Sequence, residues 1–128
     1  MVDLSDRRKF FRINFSELLE FKALSEKGAS PGITKNISQS GILFETYRKN
    51  PPELSSLLWL NLDFRVLNIC QEIEKHALVV NNGVLGRVVR IEESPKNDQL
   101  YDVSLCFLTR DQNNSRDVQK FLSELSEA

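Results

Sequence analysis

The chain has 128 residues, 41% of them apolar and 27% charged, and a formal net charge of −1. That length suits one domain burying roughly two-thirds of its unfolded surface, and near-neutrality disfavours binding to long DNA or RNA through bulk electrostatics. There is no run of roughly 18 apolar residues and no apolar signal-peptide core, so the expectation is a cytoplasmic protein with no membrane insertion.

Residues 1–14 read as a flexible N-terminal arm with an apolar tip, Phe10-Phe11, and residues 15–128 as the folded body of a single domain. The arm carries Arg7-Arg8-Lys9-Phe10-Phe11-Arg12, four cations in six residues. Arg8 and Arg12 differ by four positions, which puts them on one side of the backbone whether the segment is extended or helical. Two neighbouring guanidinium forks suit a ligand with two anionic groups. Arginine also reads the O6 and N7 edge of guanine and stacks on aromatic planes. A guanine-bearing phosphodiester satisfies all three habits. Read alone, the cluster is most simply a solvated basic patch, with a membrane-surface or nucleic-acid arm as the other reading.

From Phe15 to Leu24, Leu19, Phe21 and Ala23 alternate with Glu20 and Lys22, a strand pattern. Runs 32–38 and 41–46 are also strand-like and flank Asn36-Ile37-Ser38-Gln39-Ser40-Gly41, which begins 24 residues after Arg12. Asn and Ser in such a turn commonly bond back to their own backbone, and Gly41 can take the positive φ that a tight connection often requires. The functional reading places Asn36 and Ser38 outward on a barrel rim. There an Asn oxygen accepts from a guanine edge, a Ser hydroxyl serves base or phosphate, and Gly41 leaves room for close approach. Both readings can hold together.

Leu58, Leu60, Leu62 and Phe64 alternate with polar or aromatic partners, the clearest half-buried strand; 66–76 reads as a loop or a strand extension. His76–Val80 and Val84–Glu92 are apolar runs joined by Asn81-Asn82-Gly83, whose Asn-Gly step signals a hairpin. Tyr101, Val103, Leu105 and Phe107 form a last alternating strand. Val118, Phe121, Leu122 and Leu125 then fall on one face of a helix, capped by Asn114 or Ser115, with Asp117 favouring its positive end. The fold class is therefore mainly β: a small antiparallel β-barrel of about six strands, its C-terminal α-helix expected over an open end.

Cys70 and Cys106 belong to no metal or disulfide motif and read as reduced packing residues. His76 is the sole histidine, with no constellation converging on it. There is no P-loop, no nucleophile elbow, no H-E-x-x-H and no defensible carboxylate pair, so neither catalysis nor a metal is expected.

Taken together, R-x-x-x-R from Arg8 to Arg12 and N-x-S-x-x-G from Asn36 to Gly41, in that order ahead of short strands, resemble the signature of the PilZ domain family of bacterial cyclic di-GMP receptors. The resemblance extends from about Arg7 to Phe107. Gly86-Arg87-Val88-Val89-Arg90-Ile91 resembles the family's G-x-V-x-x strand, and Tyr101–Phe107 its final strand, with Ser104 where Gly is common. Asn36 stands where Asp is commoner, which makes the guanine contact a neutral hydrogen bond.

The resemblance implies a non-catalytic receptor in which Arg8 and Arg12 clamp phosphate and guanine. Asn36, Ser38 and Gly41 would form the rim, and Arg7 would stack on a second guanine of an intercalated ligand dimer. Closing of the arm over the barrel would then signal to a downstream protein. Two other readings stand beside it: a PilZ-like protein-interaction module that binds no nucleotide, and a barrel binding single-stranded nucleic acid through its basic arm.

Overall fold

A computed structural model describes residues 13–14, 16–24, 28–49, 52–61, 70–112 and 115–127. In chain order the elements are β1 (Ile13–Asn14), β2 (Leu18–Ala23), β3 (Ser30–Ile37), β4 (Gly41–Tyr47), β5 (Leu57–Asn61), α1 (Cys70–His76), β6 (Val79–Val80), β7 (Gly83–Glu93), β8 (Leu100–Phe107) and α2 (Arg116–Glu127). Six strands run side by side as β3-β2-β5-β7-β8-β4, all antiparallel, and pairing of β3 with β4 closes the ring. The expected barrel with a C-terminal helix is present.

Alternation decides what fills it. Leu19 and Phe21 of β2, Ile42 and Phe44 of β4, Leu58 and Leu60 of β5, and Val103, Leu105 and Phe107 of β8 point inward and share one buried cluster. The rings of Phe21 and Phe44 meet at 5.2 Å with a 48° tilt, a favourable aromatic geometry. A six-strand ring is narrow enough for side chains to pack its interior completely.

The two helices divide the covering differently from expectation. Leu57 of β5 and Leu85 of β7 have the opposite parity to the inward side chains, so they lie on the barrel's outer wall. There they are buried against Val118, Phe121 and Leu125 of α2. Helix α2 thus packs on the side of the barrel, not over an end, because two apolar outward residues need cover. Each buried aliphatic or aromatic side chain contributes about 1.5–3 kcal/mol to that contact. The interior is reached instead by α1, whose Ile73 is fully buried with the strand side chains, and by Ala77 just after the helix, which joins the same cluster. The part of the 66–76 span that is described is therefore helical from Cys70, neither loop nor strand.

The β6–β7 hairpin forms, but its left-handed positions are Asn81 (φ 51°) and Asn82 (φ 63°), and no described glycine has a positive φ. Both central residues of such a two-residue turn take positive φ, which Asn tolerates. Gly83 is needed for a different reason: a Cβ there would lie 2.3 Å from Trp59 Nε1. Trp59 itself donates its indole N–H to Val80 O at 2.7 Å, fixing the hairpin beside the α2 contact. No described helix is long and apolar enough to cross a membrane.

Candidate functional site

Asn36, Ser38 and Gly41 all belong to the β3–β4 connection. Inward residues of β3 fall at Gly32 and Thr34, a parity that would also turn Asn36 inward. A β-bulge intervenes: Thr34 pairs with Phe44 but Asn36 with Leu43, leaving Lys35 as the extra residue. One inserted residue exchanges the faces of everything after it. Ile37 therefore goes inside, 1% exposed, and Asn36 is half-buried on the outer side with Leu43.

Lys35 uses the bulge to reach Asp102 Oδ2 at 3.1 Å. Asp102 sits between Glu45 on one neighbouring strand and Glu92 on the other. Like charges directly opposite one another repel, so the Lys35 ammonium relieves the middle of an acidic row.

Ser38 begins the three-residue turn. Its N–H donates to Gly41 O at 2.8 Å, and its hydroxyl oxygen accepts the Ser40 N–H at 3.3 Å, with Ser40 Oγ 3.2 Å away. The residue is only 5% exposed, and its hydroxyl is engaged within the turn. Ser40 O accepts the N–H of Phe107 at 2.9 Å, which sews the turn to the end of β8.

Gly41 does not use the positive φ open to it. Its requirement is steric: a Cβ would stand 2.5 Å from Leu105 O, so only glycine lets β4 approach β8 this closely. Directly opposite Gly41 is Cys106, which is exposed and reduced, not the packing residue expected from its apolar neighbours.

Arg7, Arg8 and Arg12 lie outside the described residues. The described chain resumes at Ile13, and β1 pairs with β3 in the register Ile13↔Ile37 and Asn14↔Asn36. The last two residues of the expected arm are thus hydrogen-bonded alongside the polar motif.

The sequence profile of the PilZ domain matches residues 6–124. The chain belongs to the PilZ domain family. Among solved structures, this PilZ protein is similar to the Bacillus subtilis inhibitor of motility MotI (DgrA), with a TM-score of 0.59 and 16% identity over 94% of this chain. It spans 50% of that longer protein. It is also similar to the PilZ domain of Escherichia coli YcgR solved with c-di-GMP, with a TM-score of 0.51 and 14% identity, over 94% of this chain and 92% of that one. At such identities these likenesses concern the fold. No curated protein sequence matches the chain closely.

Proposed function

We propose that this PilZ protein is a non-catalytic cytoplasmic receptor for cyclic di-GMP that signals by ordering its N-terminal arm. The observation that carries the reading is the β1–β3 register. Arg12 is one peptide bond, about 3.8 Å between Cα atoms, from Ile13, and Ile13 pairs with the residue preceding Ser38. Strand β1, which follows R-x-x-x-R directly in sequence, is thus paired alongside N-x-S-x-x-G, although Arg12 and Asn36 are 24 positions apart.

In this reading Arg8 and Arg12 grip phosphate and guanine from the arm. Asn36 offers its amide to a guanine edge, Ser38 and Gly41 shape the turn beneath, and Arg7 stacks on the second base of an intercalated ligand dimer. The solved YcgR domain with c-di-GMP supports the choice of ligand. The segment that precedes β1 then acts as the moving part, and the barrel to which β1 is paired receives it. Ordering each arm residue costs about 1–2 kcal/mol of backbone entropy. Charge-assisted hydrogen bonds of about 1.5–3 kcal/mol each offset that cost, so arm closure is linked to ligand. The new surface is read by a downstream protein.

Isothermal calorimetry with cyclic di-GMP tests the proposal. Wild type should bind at micromolar concentration or tighter, and Arg8→Ala with Arg12→Ala should weaken binding by at least about 100-fold, from two lost charge-assisted contacts. Equal affinity in the double variant would remove the assignment of the site.

A further inference from the structure

Outward apolar residues of β5 and β7 are covered by α2, and the facing wall of the barrel carries outward apolar residues without such cover. In the ring β3-β2-β5-β7-β8-β4, the pair opposite β5 and β7 is β3 and β4. There Leu18 of β2 pairs with Ile33 of β3, and Tyr47 of β4 with Leu100 of β8, all with the parity that points away from the core. Leu18 is 75% exposed, Ile33 45% and Tyr47 55%. With Pro31 and Leu100 they line a shallow groove of about 310 Å³.

Two carboxylates stand among these side chains. Glu20, two positions after Leu18 on the same face, is opposite Pro31, and Glu45 is opposite Ile33. Neither has an ion-pair partner among the described residues. The nearby cations are already engaged, Lys35 by Asp102 at 3.1 Å and Arg48 by Glu93 at 2.5 Å. An apolar floor edged by uncompensated negative charge fits an occupant that is apolar on one side and positive at its flanks.

We infer that this wall is the docking surface for a cationic amphipathic helix of a partner protein, which lies across β3 and β4 as α2 lies across β5 and β7. The inference rests on the receptor reading for the existence of a downstream protein, and deepens it by naming the surface and the chemistry of what docks there. Charge argues against a second copy of this chain: a two-fold interface sets the same patch against itself, so Glu20 and Glu45 would meet their own like charges. A bilayer is disfavoured for the same reason, since its surface is negative. Reach argues against the chain's own Phe10-Phe11. Phe10 is three residues from Ile13, at most about 10 Å of chain. Ile13 is level with Ile37, about 13 Å along the strand from Ile33, and β1 runs so that the preceding residues lead away from the groove.

A short amphipathic helical peptide of Leu and Lys, and its counterpart of Leu and Glu, test the surface by amide chemical shifts of the full chain. The cationic peptide should move Leu18, Ile33 and Tyr47 and leave Leu57 and Leu85, which α2 covers, in place. Ile33→Ser with Tyr47→Ser should weaken it about tenfold through lost apolar contact. Glu20→Lys with Glu45→Lys should weaken it by at least as much through reversed charge. Should either double variant fold poorly by circular dichroism, Leu18→Ser decides, since Leu18 is the most exposed of the apolar residues. No binding of the cationic peptide at millimolar concentration, equal binding of the acidic one, or shifts confined to another face would overturn the docking surface. So would self-association of wild type in sedimentation that the Ile33/Tyr47 variant loses. Calorimetry with cyclic di-GMP separates this inference from the reading beneath it: the Ile33/Tyr47 variant should keep wild-type affinity for the dinucleotide. Absence of dinucleotide binding by wild type would overturn the receptor reading, while the peptide shifts still decide the surface.

Discussion

At Gly41 an added methyl group would meet Leu105 O at 2.5 Å, and the neighbour is backbone in a paired strand, with no flexible end to move. Gly41→Ala should therefore destabilise the fold by about 1–3 kcal/mol through overpacking and weaken cyclic di-GMP by displacing the turn. Gly28→Ala is the matched control, because nothing lies within 4 Å of a Cβ there. Urea unfolding of the two variants checks the contrast; equal midpoints would refute the steric account. The same residue shows the limit of reading a glycine from sequence. A Gly after Asn-x-Ser suggests a turn with positive φ, whereas the structure needs close approach of two strands. Ser38 is similar, since its hydroxyl is taken up by the turn and Ser40.

Among the elements, α2 was the most legible and its docking the least. Val118, Phe121 and Leu125 form the buried face that the period of 3.6 indicated, and Ser115 O accepts the first helical bond, from Gln119. The cap is refined by Asp117, whose Oδ1 accepts from the Ser115 hydroxyl at 2.8 Å and from the Val118 N–H at 2.9 Å. The Ser115 hydroxyl holds the Asp117 carboxyl below its usual value of 3.8, aided by Arg87 and Val118 N–H and opposed by desolvation.

A depressed folded-state pKa stabilises above the ordinary aspartate range, and the contribution is lost as pH falls through the folded value. Undocking of α2 should thus begin in acid below about pH 4, and less steeply in Asp117→Asn. The single tryptophan, Trp59, packs against the α2 cluster and reports the event by fluorescence. An acid transition in Trp59 emission that is identical in both proteins would exclude Asp117 as its origin. The side chain is 45% exposed, so solvent screens the effect and the transition should be shallow.

For the whole molecule, the proposed function would link ligand and fold by mass action. A receptor that binds cyclic di-GMP only when folded gains about 2.7 kcal/mol at a ligand concentration 100 times Kd. For a domain of this size that is on the order of a 10 °C rise in melting temperature. Thermal unfolding with and without the dinucleotide measures it. A constant melting temperature at saturating ligand would contradict binding to the native state. The rise should shrink in Arg8→Ala with Arg12→Ala, because the arm would no longer contribute contacts.

The strands, the α2 stripe and the polar turn were determined by sequence alone, because alternation, helical spacing and turn chemistry are local properties of neighbouring residues. Tertiary structure decided which face each strand shows after a bulge: the extra residues Lys35 and Val89 turn Asn36 and Arg90 outward, and no local pattern marks them. It also decided that α2 covers the outer wall while α1 enters the interior, since that depends on which apolar residues the closed ring leaves uncovered. A bulge and a docking site both belong to the pairing between distant segments, which one segment cannot encode by itself.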